Sequence, residues 1–368
     1  MNKQNQISIG IDFGSHNIRT AGVDTSGNLL TPIYVSEDLA PDDSVKAFEL
    51  KVVAMLKKVF DDTDQKNIAG IGIGCPSWNG AKQVIGIAPN LPHRLQGLPL
   101  GIKLQNWTEE QGFGKLPVFI DNDANSAAVG ELLFGGWGEL ALNMVVLTLG
   151  GGIGGGVIIT PPEVVMENGK IKLVYHKEKT IVLRGHHLKG AELGHMSIAL
   201  PQGMKYYSCG CGNLYCLEGQ LRVNAVKMRA MDKLKENAGM DRLSTIFDQI
   251  RKEHPEAKIM KELIPLVEPR HINNAANDNQ DRLALNIEEE VAIAFAQGLR
   301  NITQIFDPSL IVIAGEMGKK WPSLTKRAEQ IFRSQKGVVP HSDVKIGISK
   351  LRNSGILGAA ALIFQEWL

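Results

Sequence analysis

Six of the seven residues from Gly150 to Gly156 are glycine, with Ile153 the single interruption. Glycine loses more backbone freedom on folding than any other residue, so a run this dense implies positive φ angles or a ligand lying close against the main chain. The flanks narrow the choice. Residues 143–149 (NMVVLTL) and Val157-Ile158-Ile159 both read as strands, which puts Gly150, Gly151 and Gly152 in a turn between them. A dinucleotide fingerprint is contained in the run, but that fingerprint must open a helix, so a nicotinamide site is rejected. What remains is a turn that cradles phosphate with backbone N–H groups, the plain alternative being a flexible hairpin.

The N-terminal residues carry a related pattern. Residues 7–34 read as three antiparallel strands, ISIGIDFG, IRTAGV and LLTPIY, with the first turn at Asp12-Phe13-Gly14-Ser15. A glycine turn there can aim N–H groups at phosphate while Asp12 holds hydrated Mg²⁺, or it is a hairpin with a solvated Asp. The Asp-Phe-Gly tripeptide is not the protein-kinase motif, because no His-Arg-Asp loop occurs in the chain. Recurrence of strand, glycine turn and strand from residue 143 suggests an internal duplication, with a ligand clamped between two similar halves. A hairpin arm follows out to about His187. Helices are expected at about 45–59, 124–133, 217–237, 287–306, 321–333 and 355–367, and strands at 68–74, 116–120, 309–315 and 344–349. The polar stretch from about Asp232 to Asn286 reads as a flexible or peripheral insertion.

Asp121-Asn122-Asp123-Ala124-Asn125 lies where a strand hands over to a helix. Helix capping explains one such residue, not four polar residues in five. Asp123 is placed to take the proton of a hydroxyl attacking a phosphorus, and Asn122 to hold a neighbouring hydroxyl. Further on, His195, Cys209, Cys211 and Cys216 offer one imidazole and three thiolates, a tetrahedral set suited to structural Zn²⁺. If one nitrogen of His195 binds the metal, the other is oriented to donate to substrate. Glu192 and Glu218 are further hydroxyl acceptors or solvated carboxylates.

The bulk of the chain agrees with a small-molecule enzyme. Its 368 residues are enough for two domains. Lys and Arg number 40 against 39 Asp and Glu, which argues against nucleic-acid and anionic-membrane partners. No signal-peptide core or membrane-length apolar stretch is evident, so a cytoplasmic location is expected.

In this order the motifs resemble the ROK family of bacterial sugar kinases and sugar-responsive repressors. The resemblance implies an α/β, two-lobed actin-like ATPase (ribonuclease H-like) fold with the active site in the interlobe cleft. Residues 1–122 with about 354–368 would form the N-terminal lobe. Residues 123–353 would form the C-terminal lobe, with a zinc loop at 195–216 and insertions near 160–190 and 235–285. It implies ATP with Mg²⁺ and structural Zn²⁺, and transfer to a hexose, usually at the 6-hydroxyl. Sugar contacts would come from Asn90, Asn122, Asp123, Glu192, His195 and Glu218. Phosphate contacts would come from Asp12, Gly14, Ser15, His16, Gly150, Gly151, Gly152 and Gly315. Glucose is the expected substrate, with N-acetylhexosamines, allose or fructose, or a non-catalytic sugar sensor, as alternatives; a homodimer is the family habit. Repressors of the family carry a DNA-binding segment ahead of the first strand, where about six residues stand here. Three departures stand out. Gly14-Ser15-His16 replaces Gly-Gly-Thr, Gly150-Gly151-Gly152 replaces Gly-Thr-Gly, and Ala314-Gly315-Glu316 replaces a glycine triplet.

Overall fold

The computed structural model of the protein describes residues 5–13, 17–39, 44–86, 95–237, 244–278 and 281–365. Gly14, Ser15, His16 and Asn90 of the expected sites lie outside the described residues. The chain divides into two compact units, one of residues 1–146, 156–191 and 350–368, the other of 147–155 and 192–349. No helix among the described residues is long and apolar enough to cross a membrane.

In the first unit, β1 (Ile7–Phe13), β2 (Ile18–Asp24), β3 (Tyr34–Val35), α1 (Val45–Asp61), β4 (Ile68–Gly74), β5 (Trp78–Asn79), β6 (Val84–Ile85), α2 (Leu100–Glu110), β7 (Val118–Asp121) and α3 (Asp123–Phe134) follow in order. The sheet order is β3-β2-β1-β4-β7, antiparallel across β1–β2 and β2–β3 and parallel across β1–β4 and β4–β7. β1 is buried along its whole length and β4 at all but one residue, which is why both read as near-continuous apolar runs. α1 begins at Ser44, whose hydroxyl accepts from the Ala47 N–H at 3.1 Å, and turns Phe48, Val52, Leu56 and Val59 onto the sheet.

β8 (Asn143–Leu149) and β9 (Ile153–Ile159) form the second hairpin, followed by β10 (Pro162–Glu167), β11 (Lys170–Tyr175) and β12 (Ile181–Val182). Next come α4 (Leu217–Leu221), α5 (Val223–Asn237), α6 (Ile246–Glu253), α7 (Met260–Leu263), α8 (Pro269–Asp278), α9 (Arg282–Phe306), β13 (Leu310–Ala314), α10 (Gly315–Lys320), α11 (Pro322–Ser334) and β14 (Lys345–Ile348). The second sheet runs β12-β9-β8-β13-β14. Each sheet therefore places its third, second, first, fourth and fifth strands in the same sequence, and the duplication read from the glycine turns is present as topology.

The last helix, α12 (Ser354–Gln365), belongs to the first unit and packs on α3, β1 and β4. Small residues make this approach possible: a Cβ on Gly72 would overlap the Ala359 carbonyl, and one on Gly358 would stand 2.5 Å from the Ser126 carbonyl oxygen. In the second unit α9 is the spine. The Asp281 carboxylate accepts from the Leu283 and Ala284 N–H groups at 2.9 and 3.0 Å, and Ile287, Val291, Phe295, Leu299 and Ile302 are fully buried at helical spacing.

The stretch expected to be a flexible or peripheral insertion is different in the described residues. It folds as α6, α7 and α8, with Ile246, Phe247, Ile250, Leu263 and Ile272 fully buried. Its many Asn and Asp residues line the outer faces of short amphipathic helices. The helix expected over 217–237 is broken at Arg222, which is extended (φ −62°, ψ 156°).

Candidate active site and metal centre

At the end of β7 the Asp121 carboxylate is nearly enclosed, with 7% of its side chain exposed. One oxygen accepts from the Asn122 N–H at 2.8 Å and from Asn125 Nδ2 at 3.0 Å; the other accepts from Arg184 Nε at 2.6 Å. The Cys75 N–H donates to the Asp121 carbonyl at 2.9 Å. This clamps the strand-to-helix handover from four directions. Asn122 is the N-cap of α3, its side-chain oxygen accepting from the Ala124 N–H at 2.9 Å, and Asp123 follows as the first, exposed helical residue. Asp123 Oδ1 also accepts from Ala124 N–H at 2.9 Å. A carboxylate so placed is held by rigid elements and favoured by the helix dipole. Burial pushes the Cys75 thiol pKa up, and the Asp123 charge adds to it.

The same unit holds Asp12. It is buried on β1, directly opposite Arg19 on β2, and accepts a hydrogen bond from Arg19 Nη2. A Cβ on Gly355 would overlap this carboxylate, so the first turn of α12 is set against it. A cavity of about 200 Å³ opens beside Asp121 and Arg184, walled by Trp78, Leu188 and Leu362. Arg184 was not legible as a site residue, since nothing in Leu183-Arg184-Gly185 marks its partner.

In the second unit the glycine turn joins β8 to β9, and none of its residues has positive φ. Close approach accounts for Gly152, where a Cβ would stand 2.9 Å from Glu218 Oε2. Gly150 and Gly151 are different, for a Cβ on either would meet no protein atom within 4 Å. The turn is braced from outside. Glu218 Oε2 accepts from the Ile153 N–H at 2.9 Å, Thr148 Oγ1 accepts from the Gly154 N–H at 3.1 Å, and the Gly150 carbonyl accepts from the Val223 N–H at 3.0 Å. At the far end of the run, in the first unit, a Cβ on Gly156 would lie 2.6 Å from the Ala124 carbonyl oxygen, so α3 packs directly on this strand. Gly315 has φ +80°, and a Cβ there would overlap the Leu149 carbonyl; it heads α10 beside the end of β8.

Glu218 also connects this turn to the thiol cluster, its Oε1 lying 3.2 Å from Cys209 Sγ. The donor atoms of His195, Cys209, Cys211 and Cys216 all lie within 4.8 Å of one another. Cys209 Sγ is 3.4 Å from His195 Nδ1, and Cys211 Sγ is 3.5 Å from Cys216 Sγ. Metal–sulfur bonds of about 2.3 Å at tetrahedral angles put ligand atoms roughly 3.5 to 3.8 Å apart, so the set fits a four-coordinate thiolate-binding cation. Local hydrogen bonds hold the loop ready: Cys209 N–H to Asn213 O and Gly212 N–H to Cys209 O, both 3.0 Å, and Leu217 N–H to Met196 O, also 3.0 Å. Burial raises the Cys209 thiol to about 12, whereas the Asn213 backbone hydrogen bond, with Cys209 and Cys216, lowers Cys211 to about 7. Because Nδ1 of His195 faces the sulfurs, Nε2 is the nitrogen left for other partners. Glu192 opens the 3₁₀ turn Leu193–His195. Part of its side chain reaches solvent, yet desolvation by surrounding protein raises its pKa; the His195 charge opposes the rise and Glu218 adds to it.

The sequence model of the ROK family matches residues 8–165 and 178–366. A glucokinase of Streptomyces coelicolor is 30% identical over 314 residues, covering 84% of this chain and 81% of that one. A putative xylose repressor of Caldicellulosiruptor sp. is 26% identical over 370 residues, covering all of this chain and 80% of the repressor. The crystal structure of a ROK family glucokinase from Streptomyces griseus, in complex with glucose and AMPPNP, is 26% identical with a TM-score of 0.68 over 98% of this chain and 99% of that one. The repeated sheets, with helices between their strands, are the α/β architecture of the actin-like ATPase fold. The protein is therefore a member of the ROK family.

Proposed function

We propose that the protein is an ATP-dependent sugar kinase that phosphorylates a hexose at its 6-hydroxyl, with glucose the first candidate. The observation that carries this reading is the handover from β7 to α3, where a carboxylate at the head of a helix, Asp123, is held by a capped and clamped backbone. Glucokinases among the relatives and the nucleotide and sugar ligands of the Streptomyces griseus neighbour support it. The 6-hydroxyl oxygen attacks the γ-phosphorus, Asp123 takes the hydroxyl proton, and the bond to the β–γ bridging oxygen breaks to release ADP. Asn90, Asn122, Glu192, His195 and Glu218 hold the other hydroxyls.

Asp12 is the residue to hold Mg²⁺, which when bound neutralises phosphate charge. Gly14, Ser15, His16, Gly150, Gly151, Gly152 and Gly315 are the residues that would bind the nucleotide phosphates. His195, Cys209, Cys211 and Cys216 would hold Zn²⁺ through Nδ1 and the three sulfurs, leaving His195 Nε2 to donate to a sugar hydroxyl. Asp123→Ala should abolish transfer while glucose binding by calorimetry survives; wild-type turnover in that variant would remove Asp123 from the mechanism. Similarity of the whole of this chain to 80% of a putative xylose repressor, together with Gly14-Ser15-His16 in place of Gly-Gly-Thr, favours one second reading, a sugar sensor that binds without turnover.

A further inference from the structure

Between β9 and β12 the chain leaves the sheet as the ribbon β10–β11. Its register sets Pro162 opposite Tyr175, Val164 opposite Leu173 and Met166 opposite Ile171. Side chains alternate along a strand and paired residues share a face, so these six project to one side, with no charge among them. That side is open: Val164 is 64% exposed, Met166 69%, Ile171 71%, Leu173 49% and Tyr175 42%. The other face carries Glu163, Glu167, Lys170 and Lys172 around half-buried Val165 and Val174. One-sided antiparallel strands ordinarily turn their apolar face to the core. This ribbon turns it outward.

Its base is firmly held. The Thr160 hydroxyl donates to the Leu142 carbonyl at 2.7 Å, the Thr160 and Thr180 hydroxyl oxygens are 2.8 Å apart, and Ile181 pairs with Ile159. The family match leaves out residues 166–177, which hold the end of β10, the turn and all of β11.

We propose that the apolar face of β10–β11 packs against the same face of a second copy of this chain. From these exposures the patch amounts to roughly 500 Å², at the upper end of what a soluble monomer leaves open. Two such faces bury roughly 1,000 Å², which reaches the lower limit for a specific interface. Several of the flanking charges are paired within the ribbon: Lys172 Nζ lies 2.6 Å from Glu167, and Glu163 lies 3.0 Å from His176 and 3.5 Å from Lys179, while Lys170 stays exposed. Four lysines against three glutamates between residues 161 and 179 leave one net positive charge, too small a field to draw an anionic surface or a charged partner. A second copy brings a face of equal size and no charge to desolvate, in an isologous pairing that closes on itself.

The test is solution mass by light scattering and sedimentation on three variants of the full chain. One replaces residues 161–179 by a two-residue turn, which the adjacency of Thr160 and Thr180 permits. The second is Val164→Lys with Ile171→Lys, both so exposed that the fold is unaffected. The third, Lys172→Gln, alters the opposite face. The first two should halve the mass of the parent and the third should leave it unchanged. Self-pairing is overturned if the parent is a monomer across the micromolar range, or if either of the first two variants keeps the parent mass. It is also overturned if the parent is a monomer that floats with neutral phospholipid vesicles through this ribbon.

Discussion

Replacing Arg184 by Met tests whether the handover from β7 to α3 is held by the Asp121–Arg184 pair. Asp121 accepts three hydrogen bonds, at 2.8, 3.0 and 2.6 Å, and only the last comes from a cation. Removing one partner of a fully buried ion pair costs about 3 to 5 kcal/mol, because the other charge is left unpaired in low dielectric. Here the Arg184 side chain is 31% exposed, so water reaches the vacated oxygen and offsets part of that cost. Loss of one hydrogen bond to a charged group, about 1.5 to 3 kcal/mol, is the better guide. That is a ten- to hundredfold rise in local opening, at about 1.4 kcal/mol per tenfold. Hydrogen exchange at the amides of Asn122, Ala124 and Ser126 reads it directly, and turnover should fall with little change in nucleotide KM. Asp121→Asn combined with Arg184→Met should cost less than the sum of the single changes. Additive effects, or exchange unchanged within a factor of two in Arg184→Met, would refute the clamp.

Gly152→Ala pushes a Cβ toward Glu218 Oε2 and disturbs its bond to the Ile153 N–H; a loss of about 2 kcal/mol, or at least tenfold in kcat/KM for nucleotide, is expected in steady-state assays. Gly315→Ala is strained by its φ of +80° and by the Leu149 carbonyl, and should cost about 2 kcal/mol or more in urea unfolding of the second unit. Cys216→Ser should remove stoichiometric zinc from the purified protein, measured by mass spectrometry, and metal should leave the parent on acidification as protons compete for the thiolates. Glu192 accepts hydroxyls on both oxygens, with charge assistance, only when ionised, and its pKa lies above the ordinary 4.5, chiefly from desolvation. The acid limb of kcat/KM for sugar should therefore sit above that value and disappear in Glu192→Gln. With a raised folded-state pKa, ionising Glu192 opposes folding as pH rises, so Glu192→Gln should gain stability at neutral relative to acid pH.

Local signals made much of this legible. Strand pairs around glycine turns gave the duplicated sheets, and the spacing of Phe48, Val52, Leu56 and Val59 gave α1, because period and turn chemistry are written over a few neighbouring residues. The thiols were legible for the same reason. What was hidden depends on the tertiary fold. Arg184 meets Asp121 across 63 residues and Glu218 meets Ile153 across 65, and no local pattern marks either pair. The glycine run was readable as a site of close approach, but two of its neighbours, a Glu218 oxygen and the Ala124 carbonyl, are protein. The helices within 246–278 were masked by polar density, which hid four-residue turns of apolar spacing. Arg222 broke a helix that its sequence would allow to continue.

The central claim is tested most directly by ADP release from Mg-ATP across a panel of hexoses and N-acetylhexosamines, with the position of the phosphate fixed by phosphorus NMR. The account predicts turnover on one hexose, glucose first, with phosphate on the 6-oxygen and no release in Asp123→Ala. Sugar binding by calorimetry with no ADP released for any sugar would contradict it.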